Sequence, residues 1–532
     1  MSALNVCIYL FVFFMIQQTY TLHYLKTYAW QGASIVLNLL AMFIVVPKLS
    51  EFPAIYGVYS VILSLNIFFT YADIGFFSAG FKYACESYGR ADIEEEIKIT
   101  GFTCFILLIF IFFCACVFIY IAKNPHILIK DLNDAVEIKV ASHLIMTLAL
   151  FSPVIVIQRL LYIIYGTRIE SFVNQQVQIL TNSAKILSAF YFFREGVYDI
   201  VSYFFFFQSM NLIACVISIA IAKRRYQYDF LLFLRSLRFS KKIYKKTKKL
   251  AFSSFYSTFS HIIYYEFDFF VIGKFMGAER VALYAVGFTI QSFIRSLFGT
   301  LYGSFGTRFN HFIGQNDEDK FKGFLQTIII ITLPIVVFPV LSIVLLMKPL
   351  ILCWVGSNYE VSIPIAQLLV MCFIYSAISY PAGSMIVAQE RIRLLYVSGT
   401  VLPIVYWISV AVTINSMGIT SFALSKFIAH TTINIIFFIL IIRALKMNFF
   451  RFFKDIFFPI LPPTFFLIGS LYLVEPFMPA YRDKMGFMIV IFTGIFVSFF
   501  AIVLYSFFSP PFRIFLYNTM KKIINSKSGE IF

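Results

Sequence analysis

Long apolar runs dominate this sequence and decide what the chain can fold into. Fourteen stretches of about 20 residues, each bounded by charged residues, glycine or proline, lie near 28–47, 54–80, 101–122, 143–165, 171–193, 200–222, 250–272, 282–306, 324–347, 364–388, 394–414, 418–442, 457–475 and 486–508. Hydrophobic residues make up 60% of the 532 residues and charged residues 13%, which excludes a water-soluble protein. The sequence therefore predicts an all-α polytopic membrane protein with about fourteen transmembrane helices and no folded domain outside the membrane.

The lysine and arginine residues predict how the helices are oriented. If the segment before the first run is cytoplasmic, 29 of the 43 basic residues fall in cytoplasmic segments, ten in the opposite loops and four within the runs. Cytoplasmic loops of membrane proteins carry this kind of excess. We therefore expect a multi-pass protein with both ends of the helix bundle in the cytoplasm, and the net charge of +17 mostly reflects that topology.

Residues 1–23 do not fit this pattern. The apolar run from Leu4 to Ile16 is short for a span and lacks the cationic start and small-residue cleavage site of a signal peptide. We favour an N-terminal extension or an over-long start, with Met15 as an alternative first residue, over an additional helix.

The chain contains a weak internal repeat. Four pairs of residues align without a gap at an offset of 225 residues: Tyr59 with Tyr284, Gly89 with Gly314, Asp92 with Asp317, and Arg168 with Arg393. Six runs separate the copies, so both halves have the same orientation, as in transporters built from parallel repeats. The predicted organisation is an extension 1–23, a six-helix lobe 24–222, a basic cytoplasmic linker 223–249, a second six-helix lobe 250–443, and two further helices with a basic tail, 444–532.

The linker has the densest charge in the chain. Eleven basic residues lie between Lys223 and Lys249, interleaved with the apolar residues 230–234. This composition fits an amphipathic segment on the anionic cytoplasmic leaflet, and equally a solvated loop that sets the topology. The two interpretations are compatible.

Ionisable side chains within the runs are functional candidates, because a charge inside a membrane is unfavourable unless it faces protein or a polar cavity. There are seven of them: Asp73, Arg159, Lys185, Glu266, Asp268, Arg295 and Lys426. The four cations outnumber the three acids, and an excess of positive charge at low dielectric attracts a mobile anion. We predict that Arg159, Arg295, Lys426 and Lys185 bind the substrate.

Structural interpretations of these cations stay open. Arg159 and Arg295 could each pair with a buried acid, and Arg159 lies close to Pro153, which loosens a helix. Lys185 could belong to a polar seam between helices, with Asn182 among its neighbours.

The acids are predicted to act in gating or coupling. Glu266 and Asp268 stand two residues apart and so point to different faces of a helix. One of them could pair with an arginine, or could carry a proton during transport. Asp73 precedes Gly75 closely and suits a gate, a hinge or a substrate contact.

Several kinds of chemistry are not indicated. The eight cysteines fall mostly in apolar runs and form no CxxC pair, so no disulfide framework, metal site or cofactor is predicted. No phosphate-binding loop ending in Gly-Lys-Ser/Thr, nucleophile elbow or HExxH motif occurs. Nucleic-acid binding is not expected next to fourteen membrane spans.

Four segments of the chain are distinctive: Tyr-Gly-Val-Tyr-Ser at 56–60, Tyr-Ala-Asp-Ile-Gly-Phe-Phe-Ser-Ala-Gly at 71–80, Gly-Arg-Ala-Asp at 89–92, and the segment from Asp268 to Tyr284. These segments resemble the Wzx-type polysaccharide flippases of the multidrug/oligosaccharidyl-lipid/polysaccharide (MOP) superfamily. The resemblance covers about residues 24–510.

The resemblance implies a fold like that of MATE transporters and MurJ, with two six-helix lobes opening alternately to the two sides of a bacterial inner membrane. It implies an O-antigen or similar oligosaccharide cargo linked through diphosphate to undecaprenol, and a place in lipopolysaccharide biosynthesis beside a polymerase and chain-length proteins. Arg159, Arg295 and Lys426 would then hold the diphosphate, since arginine binds phosphate oxygens bidentately.

Two other functions remain as alternatives. A multidrug exporter of the same superfamily would carry cationic cargo and should have an acidic interior. An integral-membrane polysaccharide polymerase or ligase acts on the same lipid-linked substrate, but should have a large outer loop, whereas the longest outer loop predicted here spans about residues 123–142.

Overall fold

The computed structural model describes residues 29–71, 75–130, 132, 134–303, 309, 312, 317–389 and 391–517. These residues form helices and short turns, with no β-strand among them. Eleven of the helices are long and apolar enough to cross a membrane. The predicted all-α membrane fold is confirmed, and a total of about fourteen spans is compatible with it. The extension 1–23 and Asp73 lie outside the described residues.

The chain folds as two compact units, Met1–Ala282 and Leu283–Phe532. The helices of the first unit are α1 (Ala29–Leu49), α2 (Pro53–Tyr71), α3 (Phe76–Gly89), α4 (Ile93–Lys123), α5 (Ala135–Thr167), α6 (Ser171–Phe192), α7 (Ile200–Tyr226), α8 (Phe230–Ser236), α9 (Lys241–Tyr265) and α10 (Phe267–Met276). Residues 250–282, which the sequence analysis assigns to the second lobe, are thus part of this first unit; the predicted lobe boundaries stay a prediction.

The boundary between the units falls inside α11 (Ala278–Gly303). The second unit continues with α12 (Glu318–Leu345), α13 (Met347–Trp354), α14 (Ser362–Ala388), α15 (Ile392–Met417), α16 (Thr420–Leu445), α17 (Phe449–Phe477) and α18 (Lys484–Phe508). Short 3₁₀ and π turns interrupt α14 and α17.

Two helices of the repeat begin in the same way. Asp92 caps α4 by accepting a hydrogen bond from the backbone N–H of Glu95, and Asp317 caps α12 by accepting one from the N–H of Lys320. Acidic residues fill the first turn of both helices, where they interact favourably with the helix dipole. The offset of 225 residues therefore relates two equivalent helix starts.

Two predicted spans contain a break. The run 54–80 is divided into α2 and α3, and Gly75, which has a φ of +75°, directly precedes α3. A Cβ atom at this position would lie 2.1 Å from the backbone oxygen of Ala251 on α9, so only glycine fits. The run 250–272 is divided into α9 and α10 at Glu266.

The long helix α5 passes through Pro153 without a break. Proline has no N–H, so the carbonyl of Ala149 loses its usual partner four residues later. The Ser152 hydroxyl donates a hydrogen bond of 2.8 Å to that carbonyl. The carbonyl of Ala149 therefore keeps a hydrogen-bond partner, and Pro153 loosens α5 less than the sequence suggests.

The basic segment 223–249 is helical over most of its length and packs within the first unit. It comprises the end of α7, all of α8 and the start of α9. Tyr228, Phe233 and Thr247 are buried, and Lys246 forms an ion pair with Glu95 of α4, with Nζ 3.1 Å from Oε1. The segment is therefore anchored at several points, although its remaining lysines from Lys241 to Lys249 are exposed.

A buried ion pair joins α4 to the residue that follows α5. In the predicted topology, this ion pair lies at the cytoplasmic end of the first unit. Arg168, directly after α5, donates to both carboxylate oxygens of Glu96 on α4, at 2.9 and 3.1 Å. The Arg168 side chain is 6% exposed and that of Glu96 0%. Tyr88, Tyr226 and Tyr228 surround the guanidinium at 4.7 to 5.5 Å. Burial raises the pKa of the Tyr228 phenol well above its usual value.

Candidate functional site

The described candidate residues divide between the two units. Arg159, Lys185, Glu266 and Asp268 belong to the first unit, and the second contains Arg295 and Lys426, each described below with its own surroundings.

The structure brings Arg295 and Lys426 together around one aromatic ring. Lys426 Nζ lies 5.0 Å from the centre of the Phe288 ring, and Arg295 Cζ lies 5.8 Å from it. Tyr284 and Tyr406 also face the Lys426 ammonium, at 5.6 and 5.9 Å. Lys426 is fully buried. Aromatic faces stabilise cations, most strongly where water is excluded, so this arrangement stabilises the buried Lys426 and the half-buried Arg295.

The spacing along α11 explains why these groups converge. Tyr284, Phe288, Gln291 and Arg295 follow one another at intervals of four, three and four residues, which places them on one face of the helix. Tyr284 also packs against Phe422 of α16, one turn before Lys426. The two helices therefore present their cations to the same region.

The second unit supplies almost no negative charge to this region. Its sequence from 283 to 316 and from 391 to 454 contains no Asp or Glu, and neither does 361–389, which holds α14. From residue 283 onward α11 carries Arg295 and no acid, α15 and α16 carry basic residues and no acid, and α14 carries no charge. An anionic ligand would be attracted here, because charge in a low-dielectric interior is poorly screened.

Gln291 is a residue that the sequence analysis missed. It is 1% exposed, and neither its amide oxygen nor its amide nitrogen forms a hydrogen bond with the described residues. The buried hydroxyl of Ser425, next to Lys426, has no partner among them either. Buried polar groups are nearly always hydrogen-bonded, so these side chains are suited to a polar ligand. The sequence offers one indication of this role: Gln291 precedes Arg295 by four residues and therefore lies on the same face of α11.

In the first unit, Lys185 is buried among amides. Its ammonium donates to Asn182 Oδ1 at 2.8 Å and to Asn211 Oδ1 at 2.7 Å, and it lies 4.2 Å from the centre of the Phe207 ring. No carboxylate of the described residues forms an ion pair with it. The neutral partners match the polar seam that the sequence analysis keeps open for Lys185.

Arg159 lies against a different neighbour. Its guanidinium is 4.5 Å from the centre of the Phe77 ring on α3. The preceding residue, Gln158, lines a small cavity with Asn211. Ile155, one helical turn before Arg159, lines the same cavity, so Arg159 stands close to the face of α5 that borders it.

The two acids stand at the break between α9 and α10. Glu266 occupies the junction and is 2% exposed, while Asp268 lies in the first turn of α10 and is fully buried. Asp268 Oδ1 accepts a hydrogen bond of 3.1 Å from the backbone N–H of Phe269. Their burial suits groups with defined partners, and their predicted gating or coupling role stays a prediction.

Comparison with solved structures establishes the fold. A structure described as lipid II flippase MurJ in an inward closed conformation matches with a TM-score of 0.66 and 16% identity, covering 90% of this chain and 98% of that one. An inward-facing MATE family multidrug transporter of the MOP superfamily matches with a TM-score of 0.61 and 13% identity, over 77% of this chain and 95% of that one.

A MOP superfamily transporter from Pyrococcus furiosus, described as having a binding pocket of reverse polarity, matches with a TM-score of 0.53 and 13% identity, over 80% and 95% of the two chains. No protein-family model and no curated protein sequence matches the chain. At these identities the similarity concerns the fold. The chain therefore has the MurJ- and MATE-like fold that the sequence resemblance implies, and the closer likeness to Wzx-type flippases stays a prediction.

Proposed function

We propose that the protein is a flippase. It moves an undecaprenyl-diphosphate-linked oligosaccharide, an O-antigen unit or a similar repeat, from the cytoplasmic to the periplasmic leaflet of a bacterial inner membrane by alternating access. This proposal places it in polysaccharide biosynthesis, beside a polymerase and chain-length proteins, with both ends of the helix bundle in the cytoplasm.

The observation that carries the proposal is the pair of cations around Phe288, of which Lys426 is fully buried and Arg295 half-buried. Arg295 and Lys426 lie in segments, 283–316 and 391–454, that contain no Asp or Glu, and the amide of Gln291 is available one turn before Arg295. A diphosphate needs this combination, because its charge must be balanced as it leaves water. Arginine holds two phosphate oxygens at once, lysine adds a compact charge, and an amide N–H donates to a third oxygen.

The fold supports the same conclusion. One structure that shares it is described as a lipid II flippase, and others are described as multidrug transporters. The multidrug alternative fits the second unit less well, because a cationic cargo would be repelled by Arg295 and Lys426. The polymerase or ligase alternative requires a reactive outer domain, and the described part of the connection between α4 and α5 is a short turn.

The other candidate residues have supporting roles in this proposal. Arg159 and Lys185 are substrate-side candidates of the first unit. Glu266, Asp268 and Asp73 are the candidates for gating or ion coupling, since acids in membrane segments commonly couple transport to protons.

The proposal is tested by deleting the gene and complementing it with variants. Deletion should leave lipid-linked oligosaccharide on the cytoplasmic leaflet and remove the surface glycan. Arg295→Gln and Lys426→Gln should fail to restore the glycan at normal protein levels, whereas Arg393→Gln, which changes an exposed arginine, should restore it. Normal surface glycan in the deletion strain would contradict the function. Normal glycan with both cation variants would contradict the site.

A further inference from the structure

A small cavity in the first unit is lined by amide side chains from three helices. Asn66 comes from α2, Gln158 from α5, and Gln208 and Asn211 from α7. The apolar part of the lining, including Phe151, comes from α5. The cavity volume is about 20 Å³, which holds one water molecule or one hydroxyl group. The lining thus combines several hydrogen-bonding groups with space for a single oxygen.

Lys185 fixes the orientation of these amides. An ammonium group can only donate, so Asn211 must turn its oxygen towards Lys185, at 2.7 Å. The Asn211 amide nitrogen then donates to Gln208 Oε1 at 3.0 Å. As a result, the Gln208 amide nitrogen is still available to donate a hydrogen bond to a ligand. Gln208 is 8% exposed and forms no other hydrogen bond with the described residues.

The lining suits a neutral ligand rather than a phosphate. The ammonium of Lys185 lies behind Asn211 and is engaged by two amide oxygens, so no cation lines the cavity. The side chain of Gln158 forms no hydrogen bond with the described residues and offers both a donor and an acceptor. A hydroxyl group likewise donates and accepts, and can satisfy both glutamines together.

We propose that this cavity binds a hydroxyl group of the cargo's sugar, and that Lys185 is a positioning residue that orients the amides for it. This inference rests on the proposed function and assigns the sugar to the first unit. Asn211 lies near the middle of α7, about 16 Å from its first residue, which is half the thickness of a hydrocarbon core. The hydroxyl would therefore be held where water is scarce and each hydrogen bond counts most.

The test compares two probes bound by the purified full-length protein in nanodiscs. One probe is undecaprenyl diphosphate, and the other is undecaprenyl-diphosphate-N-acetylglucosamine. Gln208→Met and Gln158→Met should each weaken binding of the sugar-bearing probe by about 3- to 10-fold, since each removes one or two neutral hydrogen bonds. Binding of the bare diphosphate should not change.

A matched control is available in the second unit. Gln367 donates a hydrogen bond of 3.0 Å to the carbonyl of Val344 and does not line the cavity. Gln367→Met should leave the ratio of the two affinities unchanged. Lys185→Met should lower the affinity for the sugar-bearing probe relative to that for the bare diphosphate, as Gln208→Met does, because the amides lose their fixed orientation. The Gln208 variant keeps the Lys185–Asn211 hydrogen bond, so the test holds even where Lys185→Met does not fold.

The outcomes separate the two proposals. If neither probe binds the wild-type protein, the proposed function is overturned and the cavity assignment with it. If both probes bind and the glutamine variants change neither affinity, only the cavity assignment is overturned. If Lys185→Met weakens both probes equally, Lys185 contacts the diphosphate directly and is not a positioning residue.

Discussion

The two units hold their buried charges in different ways. In the first unit, the Lys185 ammonium is held by two neutral amides, and the buried Glu96 is matched by Arg168. In the second unit, Arg295 and Lys426 share one aromatic ring, and the segments that carry them, 283–316 and 391–454, contain no acid. An ion pair such as Glu96–Arg168 has no net charge, whereas two neighbouring cations attract an anion. Under the proposed function, the charged part of the cargo would therefore be held by the second unit and a neutral part by the first.

The cytoplasmic ends, in the predicted topology, differ at equivalent positions of the repeat. At an offset of 225 residues, Glu96 corresponds to Phe321, whose ring packs 5.2 Å from that of Phe309. Arg168 corresponds to Arg393, which is exposed. The repeat therefore keeps the helix start and replaces the buried ion pair by an aromatic contact.

The largest effect is expected at this ion pair. Arg168→Met leaves the Glu96 carboxylate buried without its partner, which should lower the free energy of unfolding by about 3–5 kcal/mol. Unfolding in mixed detergent micelles measures this change. The equivalent Arg393→Met serves as control and should leave the free energy of unfolding unaltered. Equal effects of the two substitutions would show that the cytoplasmic ends do not differ energetically.

The second-largest effect is expected when a negative charge is introduced beside Arg295 in the second unit. Gln291→Glu places a carboxylate on the face of α11 that carries Arg295, which neutralises part of the positive charge and repels a diphosphate. Binding of undecaprenyl diphosphate should weaken by about 100-fold. Gln291→Met removes the amide without adding charge and should weaken it by about 10-fold or less. Unchanged binding by the glutamate variant would refute the anionic site.

A smaller effect is expected at the amides of the first unit. Asn211→Leu removes one acceptor from the buried Lys185 ammonium and should lower the free energy of unfolding by about 1–3 kcal/mol. Adding Lys185→Met should restore part of the loss, because no buried ammonium then remains. Additive losses in this double-mutant cycle would mean that the two side chains do not interact.

The smallest effect is expected at the two aspartate helix caps, and it should be similar in both units. Asp92→Ala and Asp317→Ala each remove a helix cap of the same geometry, so both should lower the melting temperature slightly and to a similar degree. Thermal unfolding of the two variants in detergent measures this. A much larger loss at one cap would show that the repeat copies are not equivalent there.

The sequence predicts the helices better than the site. Apolar runs reveal the membrane segments because hydrophobicity is a property of composition, and the aspartate caps show in the repeat. The breaks at Gly75 and Glu266 do not change the hydropathy of their runs and were therefore missed. The partners of Lys185 were foreseen only in part, since Asn182 is on the same helix while Asn211 lies 26 residues away on α7. Arg295 and Lys426 both lie close to Phe288 because of how α11 and α16 pack. The sequence of one apolar run contains no information on the packing of two helices.

The hydroxyl that supports Pro153 has a mechanical consequence. Because Ser152 satisfies the carbonyl of Ala149, the 33 residues of α5 form one continuous rod of about 50 Å. Gln158, at the amide cavity, and the turn that carries Arg168 stand on the same rod. The two sites are ten residues apart, about 15 Å along one unbroken helix, so a rotation of α5 at the cavity would also move the turn that carries Arg168.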